Sequence, residues 1–297
     1  MLKEVFTELE FKTLGKRILG EDFNTFSQAP VGVQTDLFGN VIDTTMGEVR
    51  KEVKKQEVKL SEAEEPEEES SFTHAASNIH NTAHDYVALT TEAEIKKLVA
   101  ELMQQSEICF DTETTGIDAN DCELVGLSFS YEAHKGFYIP CPPDQQQTKT
   151  ILSYFHELFA DESKTWIGQN IKYDLLVLRW YDIQLKGKLF DTMLAHYVVE
   201  PDGKRSMDDL SAQFLGYEPV HIEELIGKKG KNQGSMRDVE LEKIKEYAAE
   251  DADITFQLKK ALFPKLKEKE VERVFYEVEN PLVKVLADME FQGIRVD

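Results

Sequence analysis

The chain has 297 residues, 41% of them hydrophobic and 10% aromatic, which is enough for one large or two smaller globular domains with a buried core. No apolar run approaches the roughly 20 residues of a membrane span, and no signal-peptide pattern opens the sequence. Three cysteines without C-x-x-C spacing argue against a zinc site or a disulfide framework, so we expect a cytoplasmic protein with no membrane association.

The net charge of −22 is unevenly distributed along the chain. Residues 1–82 hold 9 basic and 16 acidic side chains, so −7 lies there and −15 in the remainder. Such an acidic chain disfavours nucleic-acid binding, because contacts with phosphates dominate that affinity. Any nucleic-acid partner would have to be held by bound cations and local basic clusters.

The first 82 residues have the composition of a tether. A weakly helical piece at residues 1–27 is too short for a core of its own. Residues 28–82 carry the acidic run Glu62–Glu69 and hardly any large apolar side chains. Burial of so little apolar surface cannot offset the entropy lost on folding, so we expect residues 28–82 to be a disordered acidic linker.

A folded region is predicted to begin near residue 83. The pair Thr91 and Glu94 has capping-box spacing and opens a helix that follows a first strand. Three more strand-like segments come after this helix, with a polar turn between the last two, which indicates an antiparallel meander. The four predicted strands are Tyr86–Leu89, Ile108–Asp111, Leu124–Phe129 and Gly136–Ile139.

The rest of the chain has mainly helical patterns. After the short apolar segment Trp166–Gly168, helices are predicted over Asn170–Tyr181 and, near the end, over Glu277–Phe291. A long helix is predicted over Val239–Leu262 and is expected to stop at Pro264, because proline lacks the N–H group that continues a helix.

Acidic residues follow the apolar strand at residue 108. Asp111 and Glu113 are two apart, so both carboxylates point to the same side of the sheet. Like charges on one face repel each other unless a cation lies between them, and hard divalent cations prefer oxygen ligands. A second signal is Asp174, which shares a helical face with Asn170, four residues earlier.

A third signal is Asp251, which lies among alanines in the long predicted helix. The alanines allow close packing, and a buried carboxylate is costly unless a partner compensates it. If Asp251 and Asp174 converge on the strand acids Asp111 and Glu113, the four carboxylates would bind two divalent ions about 3.5–4 Å apart, the arrangement for displacement at a phosphodiester. Tyr247, one turn before Asp251, would orient the attacking water.

Three segments carry a family resemblance: Phe110–Thr114 (FDTET), Ile167–Asp174 (IGQNIKYD) and Tyr247–Asp253 (YAAEDAD). They resemble, in order and content, the three exonuclease motifs of the 3′–5′ proofreading domain in bacterial DNA polymerase I, a family-A polymerase. That domain belongs to the DEDD exonuclease superfamily, tyrosine subtype. The resemblance runs from about residue 83 to the C-terminus and includes Phe190–Leu194 and Pro281–Val283.

The resemblance implies a ribonuclease H-like α/β fold, with a mixed five-stranded sheet flanked by helices and the acids gathered at one sheet edge. It implies that Asp111, Glu113, Asp174 and Asp251 are metal ligands for two divalent cations, Mg²⁺ or alternatively Mn²⁺ or Zn²⁺. It also implies that Tyr247 is the residue that orients the water.

Contacts with DNA are implied by the same resemblance. Ile117 lies where the family has an apolar wedge beside the terminal base, and Gln169, Asn170 and Lys172 would lie near the scissile nucleotide. Two basic groups are candidate phosphate contacts, or alternatively no more than exposed loop side chains: Lys204 with Arg205, and Lys228, Lys229 and Lys231.

The resemblance predicts a 3′–5′ exodeoxyribonuclease acting on single-stranded or frayed 3′ ends, as a monomer joined to a polymerase domain. Residues 1–27 would then be the remnant of a preceding 5′-nuclease region, 83–290 the exonuclease domain, and 291–297 the start of the polymerase domain. Two alternatives stay open. One is a ribonuclease D-like exoribonuclease, which shares the four acids and the tyrosine; the other is a catalytically inactive module that binds DNA or braces the polymerase.

Overall fold

A computed structural model describes residues 34–35, 41–42, 77–230 and 232–294. The chain separates into two compact units, Met1–Phe72 and Thr73–Asp297. In the first unit, the described residues form one antiparallel pair, β1 (Gln34–Thr35) with β2 (Val41–Ile42). The predictions for residues 1–27 and for most of the linker lie outside the described residues.

The second unit is built on a six-stranded mixed sheet. Its strands are β3 (Asp85–Ala88), β4 (Glu107–Thr114), β5 (Leu124–Glu132), β6 (Lys135–Pro140), β7 (Thr165–Gly168) and β8 (Lys188–Asp191). They lie in the order β3-β6-β5-β4-β7-β8. The predicted meander is confirmed, because β4–β5 and β5–β6 both pair antiparallel. The other pairs, β3–β6, β4–β7 and β7–β8, are parallel.

Helices flank the sheet. They are α1 (Glu92–Leu102), α2 (Gln145–Ser153), α3 (His156–Phe159), α4 (Ile171–Arg179), α5 (Thr192–Val199), α6 (Met207–Leu215), α7 (Ile222–Ile226), α8 (Leu241–Glu268), α9 (Glu272–Val274) and α10 (Asn280–Gln292). A 3₁₀ turn, Met236–Asp238, precedes α8, and a π-helical turn, Phe275–Glu279, joins α9 to α10. The capping box of α1 is present as predicted. Among the described residues, no helix combines the length and apolarity that crossing a membrane requires.

Alternation along β4 divides its side chains between two cores. Ile108 and Phe110 pack in a cluster with α1, α2, α3, α4 and α10, whereas Cys109 packs in a second cluster with α5, α6 and α8. Because side chains alternate along a strand, Asp111 and Glu113 continue the side of Cys109. The acids of β4 therefore face α8.

The predicted α/β class with a mixed sheet and flanking helices is confirmed, but the sheet has six strands instead of five. The strand that no sequence pattern indicated is β8, which pairs in parallel with β7. The sequence of β8, Lys-Leu-Phe-Asp, has two adjacent apolar residues between two charged ones, so it does not alternate with a period of two. Residues 77–82, placed in the linker by composition, are described and packed: Ser77 bridges Tyr217, and Ile79 is buried.

The long helix α8 does not end at Pro264, as was predicted, but runs on to Glu268. Pro264 lies on the exposed side of the helix, while Leu262 and Leu266 on either side of it are fully buried. Burial of these two leucines outweighs the missing backbone hydrogen bond, and the freed carbonyl of Lys260 lies on a helix face where water can replace the donor.

Replacing Pro264 with alanine is therefore expected to raise the free energy of unfolding by about 1–3 kcal/mol, since it restores a helical N–H donor. Urea denaturation would measure the change. The exposed neighbour Lys267→Ala is the matched control and is expected to change the free energy by less than about 0.5 kcal/mol. A lower stability for Pro264→Ala would contradict this account of the helix.

Candidate active site

The first two acids project from β4 towards α8. Glu113 is 6% exposed and Asp111 is partly buried. Both follow Cys109 on the same face of the strand, so their carboxylates lie over the end of β4 on the α8 side. The spacing of two residues between Asp111 and Glu113 predicted this common orientation, and the fold has it.

Helix α8 brings Asp251 over this end of β4. Ala248, Ala249 and Ala252 are fully buried, so the helix packs closely against the sheet. On β6, Gly136 provides the space for this approach: a Cβ there would lie 2.6 Å from the carbonyl oxygen of Ala249. The alanines of α8 allow the close packing that was predicted, and Gly136 on β6 contributes to it from the other side of the contact.

The carboxylates of Asp111, Glu113 and Asp251 form one compact group. One oxygen of each lies within 4.8 Å of the other two. Asp111 and Asp251 are 140 positions apart in the sequence, so the group forms only when the chain folds. We call these three residues the acidic group.

Asp174, predicted as the fourth acid, lies beside the acidic group and outside its 4.8 Å limit. Its Oδ1 accepts hydrogen bonds from the backbone N–H of Thr112 at 3.0 Å and from the Thr112 hydroxyl at 2.6 Å. Strand β4 continues past the end of β7 at Gly168, and Asp174 binds the strand edge that β7 leaves uncovered. One carboxylate oxygen of Asp174 is therefore hydrogen-bonded to β4.

Asp191, at the end of β8, positions the helix that carries Asp174. Its carboxylate accepts from the backbone N–H groups of Ile171 at 2.9 Å and Asn170 at 3.3 Å, and it also caps α5 through Leu194 at 3.1 Å. Burial raises its pKa to about 6. This residue was not predicted as part of the site, although a strand-end aspartate followed directly by a helix is a recognisable N-cap signal.

Burial raises the pKa of all four predicted metal ligands. The pKa of Asp111 is raised to about 7. The pKa values of Glu113, Asp174 and Asp251 are raised well above their ordinary range, first by burial and then by the negative charge of Asp111. Four such carboxylates cannot all ionise at neutral pH without a compensating positive charge.

No lysine or arginine in the described part of the chain supplies that charge as an ion pair. In addition, Oδ1 of Asp251 is buried without a hydrogen-bond partner. A buried acceptor without a partner is costly, and hard divalent cations take oxygen ligands of this kind. The acidic group therefore fits a divalent cation.

Tyr247 lies one helical turn before Asp251 and is partly buried. Burial raises its pKa, and the charges of Asp251, Glu113 and Asp111 raise it further, together with a hydrogen bond to Asp251. Its hydroxyl consequently keeps its proton at neutral pH and is a hydrogen-bond donor at the edge of the acidic group.

Some of the predicted DNA contacts lie in exposed loops. Ile117 follows β4 and is 89% exposed, so a large apolar side chain projects into solvent six residues after Asp111. Lys228 and Lys229 are exposed after α7, while Lys231 lies outside the described residues. Exposure is necessary for DNA contact, and these assignments stay predictions.

Gln169 and Asn170 have roles inside the fold. Nε2 of Gln169 donates to the carbonyl oxygen of Arg205 at 2.9 Å, and its Oε1 accepts from the Thr192 hydroxyl. Asn170 is the N-cap of α4 in the left-handed region, with φ of 57°. Gln169 thereby ties the loop of Arg205 to the end of β7, and contact of either residue with DNA stays a prediction.

Two of the predicted basic contacts already have acidic partners. Lys172 pairs with Glu290 at 2.5 Å, and Lys204 pairs with Asp209 at 3.7 Å. Arg205 instead lies over the ring of Tyr197, 4.8 Å from its centroid. A phosphate would have to compete with the carboxylates at the two lysines, whereas the guanidinium has no carboxylate partner among the described residues.

Comparison with known proteins places this fold and site in a class of nucleases. A family model described as 3′–5′ exonuclease matches residues 86–267. DNA polymerase I of Pseudomonas aeruginosa is 36% identical over 223 residues, covering 72% of this chain and 24% of that protein. DNA polymerase I of Borreliella burgdorferi is 33% identical over 215 residues, covering 71% and 23%.

The chain belongs to the 3′–5′ exonuclease family. The relatives reported above are bacterial DNA polymerase I, as the three motifs predicted. The chain spans about a quarter of the length of these relatives. The ribonuclease H-like fold is also found in solved structures. Brucella melitensis NrnC has a TM-score of 0.56 at 17% identity, covering 71% of this chain and 94% of that one. The POL domain of Pol1 from M. smegmatis has a TM-score of 0.56 at 20% identity, covering 71% and 33%.

Proposed function

We propose that this chain is a metal-dependent 3′–5′ exodeoxyribonuclease, which removes 3′-terminal nucleotides for an adjoining polymerase domain. The observation that carries the proposal is the acidic group: three carboxylates within 4.8 Å, without a basic partner among the described residues and with one unpartnered oxygen. Single-stranded and frayed ends would be preferred, because unpairing a mismatched end costs least. We further propose that the protein acts as a monomer in the cytoplasm, in DNA replication and repair.

In this proposal, the acidic group and Asp174 hold two divalent cations, Mg²⁺ or alternatively Mn²⁺ or Zn²⁺. When bound, such cations lower the pKa of an attacking water and stabilise charge on the leaving 3′-oxygen. The protein's own side chains position the carboxylates that would hold the cations. Thr112 holds one oxygen of Asp174, so its second oxygen is left for a cation, and Asp191 fixes the start of α4.

Tyr247 is assigned the orientation of the attacking water. Its hydroxyl keeps its proton because burial and the acidic group raise its pKa. While that hydroxyl donates its single proton to Asp251, its oxygen can accept a hydrogen bond from a water, and a fixed partner restricts the direction from which that water attacks.

The charge of −15 beyond residue 82 limits how DNA is held. We propose that the cations attract the terminal phosphate and that Arg205, Lys228 and Lys229 contact the backbone, since the described structure gives them no carboxylate partner. Ile117 would pack against the terminal base. Such local contacts predict binding that weakens as salt concentration rises.

The test of this function is digestion of 5′-labelled single-stranded DNA with Mg²⁺. We expect progressive shortening from the 3′ end, release of nucleoside monophosphates, and complete loss of digestion with excess chelator. A matched RNA oligonucleotide should be digested more slowly. Digestion that persists in chelator would refute the metal mechanism. Faster digestion of RNA would support the exoribonuclease alternative, and DNA binding without any hydrolysis would support the inactive module.

Replacing Tyr247 with phenylalanine is expected to lower kcat by about 10–100-fold with little change in KM, because the variant loses one positioned hydroxyl. Steady-state digestion of single-stranded DNA would measure both constants. Tyr154→Phe, which removes a hydroxyl that hydrogen-bonds Glu92, is the control and should keep the wild-type rate. An unchanged kcat for Tyr247→Phe would remove the assigned role.

A further inference from the structure

A cavity lies at the opposite end of the sheet from the acidic group. It has a volume of about 830 Å³ and is bordered by Glu107, Thr165 and Lys188, the first residues of β4, β7 and β8. Asp111 lies four residues further along β4, which corresponds to about 13 Å along the strand. Helix α8 and the start of α10 close the sides. The volume is within the range of small-molecule sites, roughly 300–1,000 Å³.

The cavity has an excess of positive charge. Both carboxylate oxygens of Glu107 contact Nζ of Lys259, at 2.6 and 2.7 Å, so these two charges cancel. Lys188 and Lys284 have no acidic ion-pair partner within the described residues. Nζ of Lys284 donates to the carbonyl oxygen of Gly187 at 2.7 Å. Burial and the charge of Lys186 lower the pKa of Lys284, the charge of Glu162 raises it, and Glu162 does not form an ion pair with it. Two lysines thus remain available for an anion.

Aromatic rings accompany these amines. Phe263 and Tyr276 border the cavity and are 44% and 41% exposed, so both rings are accessible from it. The buried ring of Phe190 also borders it. Exposed rings offer flat faces on which a planar ligand stacks. Nζ of Lys259 lies over the Phe263 ring, 5.2 Å from its centroid, so a planar ligand would stack on the other face of that ring or on Tyr276.

One buried polar group in the cavity wall lacks a partner. Asn280 is 7% exposed, and its side-chain amide donates to the carbonyl oxygen of Leu189. Its Oδ1 has no hydrogen-bond partner. A buried acceptor of this kind is costly to leave unsatisfied. A ligand that carries an N–H or O–H group would provide the missing donor.

We propose that this cavity binds an aromatic anion of the size of a nucleoside monophosphate. The phosphate would contact Lys188 and Lys284, and the base would stack on Phe263 or Tyr276 with an N–H group near Asn280. The amines alone would suit any anion. The combination with exposed rings and an unpartnered acceptor selects a ligand that has a phosphate and a planar, hydrogen-bonding ring.

The test is titration of the 297-residue chain with dAMP in excess chelator, followed by calorimetry and by NMR shifts of labelled protein. Chelator removes cations from the acidic group, so the result does not depend on nuclease activity. We expect saturable binding of one dAMP per chain. Inorganic phosphate and adenosine, as separate probes, should each bind at least 10-fold more weakly than dAMP.

Variants locate the site. Lys188→Glu and Phe263→Ala change exposed side chains, and each is expected to weaken dAMP binding by at least 10-fold while circular dichroism and thermal melting stay as in the wild type. Lys204→Glu changes an exposed lysine that does not line the cavity, so it is the matched control and should leave dAMP affinity unchanged. The proposal is overturned if dAMP does not saturate, if phosphate binds as well as dAMP, or if only Lys204→Glu weakens binding.

Discussion

Replacing Asp251 with asparagine is expected to slow digestion of single-stranded DNA by about 1,000-fold or more. The substitution keeps the size of the side chain but removes a negative charge and one anionic oxygen from the acidic group. Bound cations supply several kcal/mol of transition-state stabilisation in phosphodiester cleavage, and about 4 kcal/mol corresponds to 1,000-fold in rate. Initial rates with 5′-labelled DNA in saturating Mg²⁺ would measure the loss.

Asp253, two residues along the same helix, provides the matched control. It is fully buried, but its carboxylate is satisfied: Tyr86 donates to Oδ2 at 2.8 Å, and the backbone N–H of His134 and the amide of Gln257 donate to Oδ1 at 2.9 Å each. Asp253→Asn should therefore lower the free energy of unfolding by about 1–3 kcal/mol. Its activity per folded molecule should stay within about twofold of wild type. Equal loss of activity in both variants would show that α8 has moved and that the acidic group was not tested.

Replacing Asp111 with asparagine is expected to stabilise the cation-free protein at alkaline pH. The pKa of Asp111 is about 7 in the fold against an ordinary 3.8, because burial disfavours its charge. Below pH 3.8 the carboxyl is protonated in both folded and unfolded chains and costs nothing. As pH rises through 7 the folded protein must ionise it, so the relative stability is lost. At pH 8 in chelator, Asp111→Asn should raise the free energy of unfolding by about 4 kcal/mol, since each pKa unit corresponds to about 1.4 kcal/mol.

Thermal melting at pH 4.5 and pH 8 in chelator would measure this effect. The expected gain in melting temperature at pH 8 is about 8–16 °C for a domain of this size, and it should be much smaller at pH 4.5. Addition of Mn²⁺ should then raise the melting temperature of the wild type more than that of the variant, because the cation binds only the folded acidic group. Asp121→Asn, an exposed acid, is the control. A variant that is less stable than wild type at pH 8 would contradict the argument.

The sequence predicted the gathering of Asp111, Glu113 and Asp251 better than it predicted the sheet. Asp111 and Glu113 were placed on one face by strand alternation alone, and their convergence with Asp251 followed from the motif resemblance. The register of β4 against β5 is local and was predictable. Strand β8 was not predicted, because its four residues do not alternate between apolar and polar side chains and its pairing partner β7 is distant in sequence. Asp191 was not predicted as part of the site, because its role depends on a distant segment: it binds the start of helix α4, which lies 20 residues earlier in the sequence.

Pro264 illustrates where local propensity fails. Its intrinsic cost favours a helix end, but the buried leucines on both sides belong to a core formed by residues far away in the sequence. The same limit applies to the position of Asp174. The motif placed it among the acids, whereas its attachment to the edge of β4 through Thr112 depends on where β7 ends. Such details follow from tertiary packing, which no short segment encodes.

The contact between Gly136 of β6 and Ala249 of α8 makes the position of Asp251, which is also in α8, depend on the residue at position 136. A methyl group at position 136 would displace the helix backbone by several tenths of an ångström, and Asp251 would move with it. Because misplacement of a reacting geometry by about 1 Å can cost 100-fold in rate, catalysis would suffer well before the fold did. A substitution at this glycine is therefore expected to lower the rate of the proposed 3′–5′ exonuclease reaction, a defect that measurements of protein abundance alone would overlook.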